Sequence, residues 1–479
     1  MQKKDFTGVY KSLPPLLIGT AMLALGSVLA PGNRFLIGVL LIICGVGLYF
    51  YFALVMKERN WWDIRAVFSA IWLITIGLAS FKLTNYQVQW EPKTWYCVAL
   101  AYAMFILGSS IGIICGTKLE RFCSRKCKKS FKHFKIEFRS ERLFWICFVV
   151  TMVGLLCFFA NVAVRGYIPY FSDDDSAYVN FYTKFYLFSV AATMISGLSY
   201  YTLMTQKQSI WKRIFLWFSI AYSTFLFPTL VVSRGTFLTS ALSLATVIFY
   251  IHRKKLWTLV LCAAVIVCFY AIGTDARGYT ESQLNAFFEP IQVGEDDGDN
   301  TNSETGNDGD IDGFKLSGSA AFVYSYLTVS HDNFNLAVQK VEDYSYGVRQ
   351  MEPFNVILRI KPLAKAIEDS EYFLVRPHLT TVNLIGDAYY DFGIVGILVL
   401  MLVWSFGFGV VQAYYLSGKG VFSLLALGVV MTPVTLCFFS RWMSLFQTWM
   451  HWGLVLLMFL AAYVTFTPKN QRNCLLDEN

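Results

Sequence analysis

Five arginines stand where long apolar runs end: Arg165 in VRGYIPYF, Arg234 in VVSRGTFL, Arg277 in DARGY, Arg376 in RPHLTT and Arg441 in FFSRWM. A guanidinium stays charged when partly desolvated, and its planar fork matches two oxygens of a phosphate. Taken singly, each arginine reads as an anchor that snorkels to a membrane surface. Taken together at the mouth of an apolar bundle, they suit a lipid with a phosphate or pyrophosphate head. His378 follows Arg376 by two residues. An imidazole is suited to general-base work near neutral pH, and a structural hydrogen bond is its plainer reading. Asp391 is the second candidate base, with a helix cap as its plainer reading. Tyr324, Tyr326, Tyr389 and Tyr390 offer rings that could stack on sugars, although aromatic residues also gather at any membrane interface. Further aromatics and carboxylates lie in the same segments, Tyr372 and Asp387 among them.

A membrane must position these side chains. The chain has 479 residues, of which 56% are hydrophobic and only 15% charged, against about 25% charged in a soluble domain. The mean hydropathy is +0.49. Apolar runs of about 20 residues recur, each long enough to cross a bilayer as a helix. They do not alternate as the strands of a β-barrel would. Twelve spans are predicted, at 14–31, 35–56, 66–83, 94–116, 143–164, 183–205, 214–232, 235–251, 256–273, 391–416, 421–439 and 444–466. The expected fold class is all-α: a polytopic membrane protein with about twelve transmembrane helices and one large external loop containing short helices.

The connecting segments set the expected orientation. With the N-terminus in the cytoplasm, most of the 40 lysines and arginines, including the run 118–142, fall in short cytoplasmic segments. Both termini are then cytoplasmic, and the five arginines face outward. The net charge of +8 therefore reflects topology and not nucleic-acid binding. The first apolar run is followed at once by another and reads as a retained span, not a cleaved signal. The chain divides into helices one to nine (1–273), an external loop (274–390) and the last three helices with a tail (391–479). Within the loop, 294–313 is acidic and too polar to fold alone, whereas 314–340 and 352–368 read as helices. Asp308, Asp310, Asp312 and Gly313 open like a calcium loop, but Ser319 stands where its glutamate belongs. The eleven cysteines imply no disulfide framework. Cys123, Cys127 and His133 sit in a basic segment that would repel a cation, so no metal is expected.

Two stretches, VVSRGTFL and RPHLTTVNLIGDAYYDFGIVGILVL, together with the layout of spans and one late external loop, resemble the oligosaccharide repeat-unit polymerases (O-antigen or Wzy-type polymerases). The resemblance implies a glycosyltransferase of the bacterial inner membrane that needs no cofactor. Its donor and acceptor would be undecaprenyl-pyrophosphate-linked oligosaccharides, joined on the external leaflet into a surface polysaccharide of lipopolysaccharide or capsule type. A chain-length regulator and a flippase are the partners it suggests, besides membrane lipids. On this reading Arg234, Arg277, Arg376, Arg441 and Arg165 hold pyrophosphate, and His378 or Asp391 serves the acceptor hydroxyl. Arg234 also stabilises the leaving group's charge. The rival readings are a lipid-linked oligosaccharide flippase or other carrier, an O-antigen ligase, and a non-catalytic scaffold.

Overall fold

A computed structural model describes residues 7–55, 60–84, 86–126, 134–136, 139–172, 180–181, 183–252, 257, 260, 318–358, 360–376 and 379–466. These form helices α1 (Thr7–Val55), α2 (Ile64–Ser80), α3 (Pro92–Lys126), α4 (Glu141–Arg165), α5 (Lys184–Ala192), α6 (Ile195–Thr205), α7 (Ile210–Ala221), α8 (Phe227–Leu230) and α9 (Arg234–Ile251). After the long connection come α10 (Gly318–Lys340), α11 (Glu352–Leu358), α12 (Lys361–Glu368), α13 (Gly386–Gly418), α14 (Val421–Thr435) and α15 (Phe446–Tyr463). A short antiparallel pair that the sequence pattern did not announce joins Phe134–Ile136 (β1) to Val464–Phe466 (β2).

Seven spans among the described residues are long and apolar enough to cross a membrane. The chain is a helical integral membrane protein, but the twelve expected spans do not appear as twelve. Spans 14–31 and 35–56 are one 49-residue run, α1, interrupted only at Asn33 (φ −153°, ψ 79°). The Asn33 carboxamide accepts from Leu36 N at 3.0 Å and restarts the helix. Helices α2 and α14 are apolar but only 17 and 15 residues long. At 1.5 Å per residue they fall short of a hydrocarbon core of about 30 Å. Thr193 and Met194 divide span 183–205 into α5 and α6, and span 214–232 passes through a π turn, Tyr222–Leu226. Apart from Trp257 and Val260, span 256–273 lies outside the described residues. So do the acidic stretch 294–313 and, with it, the calcium-like aspartates.

Small residues set the closest packing. On α3, Gly108, Gly112 and Gly116 recur every fourth residue and face α13. A Cβ on Gly112 would stand 2.1 Å from Phe406 O, and one on Gly409 of α13 would stand 2.3 Å from Ser109 O. Without a hydrophobic drive between helices in lipid, such backbone approach supplies the dispersion contacts. Aromatic stacking fills the neighbouring layer, with Phe68 and Phe105 at 3.6 Å between centroids and Trp72 beside them.

Helix α10 comes from the segment expected to be an external loop, and it is more than a surface helix. His331, Asp332, Asn333, Phe334 and Asn335 are all buried. Each polar group among them pins a different part of the chain. Asp332 binds Lys82, Gln87 and Trp90. Asn335 accepts from Thr94 Oγ1 and Glu91 N. Asn333 donates to Leu379 O and Thr381 O and accepts from Val375 N. The His331 ring lies between Thr75 Oγ1 and Asn383 Nδ2, at 3.0 and 3.2 Å. Helix α10 thus ties the end of α2, the start of α3 and the 375–383 segment into one end of the bundle.

Candidate headgroup site

Arg234 opens α9. Ser233 caps the helix, its Oγ accepting from Thr236 N at 3.3 Å, and Val232 just before it has a left-handed backbone (φ 53°). This sharp entry suits a capping serine. It carries Arg234, 9% exposed, to α10. There Arg234 Nη1 donates to the Tyr326 hydroxyl at 3.2 Å, with the guanidinium 5.7 Å from the ring centroid. Tyr326 stacks on Phe439, centroids 5.7 Å apart, two residues before Arg441. Val375 and Leu379, which bracket Arg376, pack into the same small apolar cluster as Tyr326. Arg376 is itself buried. Segments bearing three of the five arginines therefore meet at Tyr326.

Arg441 lies in the turn between α14 and α15. Its Nη1 and Nη2 fork onto the two oxygens of Glu352, the Nη2 contact being 3.0 Å. Nη1 also donates to the Tyr372 hydroxyl at 2.6 Å and lies 3.7 Å from Asp387 Oδ2. Tyr372 in turn donates to Asp387 Oδ1 at 2.6 Å. Burial works against the Arg441 charge, but Asp387, Tyr372 and Glu352 outweigh it and push its pKa up. Burial, then the Asp387 charge, drives the Tyr372 hydroxyl well above its usual value. Tyr372 stays neutral and donates.

Next to this group lies Arg349, which the sequence reading did not single out. Its guanidinium sits 3.6 Å from the Tyr372 ring centroid and 4.4 Å from that of Tyr390. Nη2 donates to Ser370 O and Glu371 O at 2.7 and 2.9 Å. Flat stacking and carbonyl contacts are work for which arginine is suited and lysine is not. The local signal in the sequence was the turn YSYGVRQ, where Tyr346 and Gly347 both take positive φ.

A family model described as "Putative O-antigen polymerase" matches residues 64–293. The chain belongs to the O-antigen polymerase family. The match runs from α2 past α9 and takes in Arg234, Tyr222 and the α9 cap. No curated protein and no solved structure matches the chain. As an O-antigen polymerase family member it is a protein of polysaccharide biosynthesis, and the family implies lipid-linked oligosaccharide substrates.

For an O-antigen polymerase the remaining candidates separate into distinct groups. Arg277 and His378 lie outside the described residues. Arg165 is exposed at the end of α4, where Tyr167 packs on a separate cluster of Phe158, Phe181 and Phe227. Tyr326 is half-buried beside Arg234, but Tyr324, Tyr389 and Tyr390 are interior residues. The Tyr324 hydroxyl donates to Leu78 O at 2.8 Å, Tyr389 packs edge-on against Phe334, and the Tyr390 hydroxyl accepts from Phe373 N at 2.8 Å. These three rings are committed to the fold and do not present a face to a sugar. Asp391 is buried in the second turn of α13. Its carboxylate accepts from Ser345 Oγ, Arg349 N and Gln350 N at 2.5, 3.1 and 3.0 Å. It caps the 345–350 turn, neither its own helix nor an open site. Among the described residues no three His, Cys, Asp or Glu side chains gather as a metal site.

Proposed function

We propose that the protein is a membrane glycosyltransferase that polymerises oligosaccharide repeat units carried on undecaprenyl pyrophosphate. The growing chain passes from its carrier to a hydroxyl of the incoming unit. The glycosidic bond to phosphate breaks as the new glycosidic bond forms, and undecaprenyl pyrophosphate leaves. Charge builds on that leaving group, so fixed guanidinium groups stabilise the transition state more than the ground state. Arg234 and Arg376, with Arg441, take this role, and Tyr326 orients Arg234. His378 takes the acceptor proton. The site works on the external leaflet, with both termini in the cytoplasm, and Arg277 joins it from the external segment.

The observation that carries this reading is the meeting of arginine-bearing segments at Tyr326, at the end of a helical bundle whose family handles lipid-linked oligosaccharides. The test is to give purified protein a lipid-linked repeat unit with neither nucleotide sugar nor metal. A ladder of products supports a polymerase. Transfer to a lipid core with no ladder means a ligase, and movement of the unit across a vesicle without covalent change means a flippase.

A further inference from the structure

The Arg441 fork is already filled. Glu352 sits across it with both oxygens, in the two-point geometry a phosphate would use. Asp387 approaches the same guanidinium from the other side. Facing two carboxylates, Arg441 has no surplus positive charge to offer an anion. The two carboxylates differ in how firmly they are held. Asp387 is 1% exposed, in the first turn of α13. Glu352 is 27% exposed and opens α11, a helix of seven residues. α11 leans on α15 through Phe354 and Trp449, whose rings are 5.6 Å apart. Val356, Leu358 and Ile360, along and just past α11, are exposed apolar side chains, so this segment borders lipid in a chain that lives in a membrane.

We propose that Glu352 is a resident stand-in for the anionic headgroup: a lipid pyrophosphate displaces it from Arg441 and shifts α11 away from α15. This rests on the headgroup reading above and adds how the site is kept closed when empty. The exchange is favoured in one direction. A pyrophosphate brings more charge than one carboxylate and can keep the same forked contacts, while Asp387 and Tyr372 hold Arg441 in place. Glu352, on leaving, reaches water without stranding a buried charge, because its side chain is already partly solvated. The closed state keeps the arginine from gripping phosphates of ordinary membrane lipids, since a single phosphodiester charge competes less well with the carboxylate.

The test measures binding of undecaprenyl pyrophosphate, and of a phosphatidylglycerol control, to the full chain in nanodiscs. Glu352→Gln and Glu352→Ala are compared with the parent protein. Both variants are expected to bind the pyrophosphate lipid about three- to tenfold more tightly, the range that loss of one partly exposed ion pair gives. Both are also expected to lose discrimination against phosphatidylglycerol. Unchanged or weaker binding in both, with the parent still binding undecaprenyl pyrophosphate, overturns the stand-in and leaves the headgroup reading intact. If neither the parent nor either variant binds the lipid, the headgroup reading falls, and the stand-in with it.

Discussion

Two ion pairs stand at the same end of the bundle, and each has an aromatic ring against its cation. Lys82 and Asp332 meet at 2.7 Å with their side chains 5% and 0% exposed. Asp332 also accepts from Trp90 and Gln87, and the Lys82 ammonium lies 4.6 Å from the Trp90 ring centroid. Arg441 and Glu352 are 21% and 27% exposed, and the ring against the cation is Tyr372 at 5.1 Å. The first pair is sealed and saturated. Neither partner can leave without stranding a charge in a dry interior. In the second pair both partners touch solvent, so one can be exchanged. The same chemistry serves the fold in one place and a ligand in the other, and water access makes the difference.

Breaking the sealed pair tests the contrast most severely. Asp332→Asn leaves the Lys82 ammonium buried without its counter-charge, a change that costs about 3–5 kcal/mol. It is expected to abolish folded protein in detergent, read by size exclusion and thermal unfolding. Arg441→Lys is expected to spare the folded yield and slow polymer formation by about 10²–10³, the usual cost of losing a preorganised contact to a leaving group. A lysine cannot offer two parallel donors. Equal losses of thermal stability in the two variants would erase the distinction between the pairs.

The smallest effect is one of pH, and it belongs to the sealed region. Burial, reinforced by the Lys82 charge, lowers the His331 pKa from 6.5 to about 3. Below 6.5 the unfolded chain takes up a proton that the folded chain refuses. Stability therefore falls as pH drops from 6.5 towards 3, by at most about 1.4 kcal/mol per pH unit. His331→Gln is expected to flatten that part of the curve of unfolding temperature against pH.

How much of this was legible in the sequence depended on the physics of each segment. Apolar runs announce helices, so α3, α4 and α13 fall where their composition put them. Kinks and splits were less visible. Asn33, and Thr193 with Met194, interrupt runs whose hydropathy is continuous, because a break costs little when a side chain or the next turn satisfies the freed backbone groups. The depth of α10 was hidden for the opposite reason. His331-Asp332-Asn333-Phe334-Asn335 reads as polar and exposed, and only its partners Lys82, Thr94 and Asn383, distant in sequence, make it interior. The Gly108, Gly112 and Gly116 stripe was in plain view and went unread, since its meaning needs the facing Gly409. For the site, charge at the ends of apolar runs located Arg234, Arg376 and Arg441. It could not reveal Glu352 or Arg349, whose roles arise from a fold-back of the long loop. The tyrosines chosen as sugar platforms were correctly placed at that end of the bundle, but Tyr324, Tyr389 and Tyr390 turn inward because each hydroxyl or ring finds a buried partner.

The account turns on whether the guanidinium at the start of α9 serves the departing pyrophosphate. The most direct measurement is the initial rate of ladder formation from a purified lipid-linked repeat unit by Arg234→Ala protein that inserts and unfolds like the parent. A rate lower by about two to three orders of magnitude, with Arg234→Lys equally impaired, is the expected result. Ladders formed at the parental rate and to the parental length would contradict it.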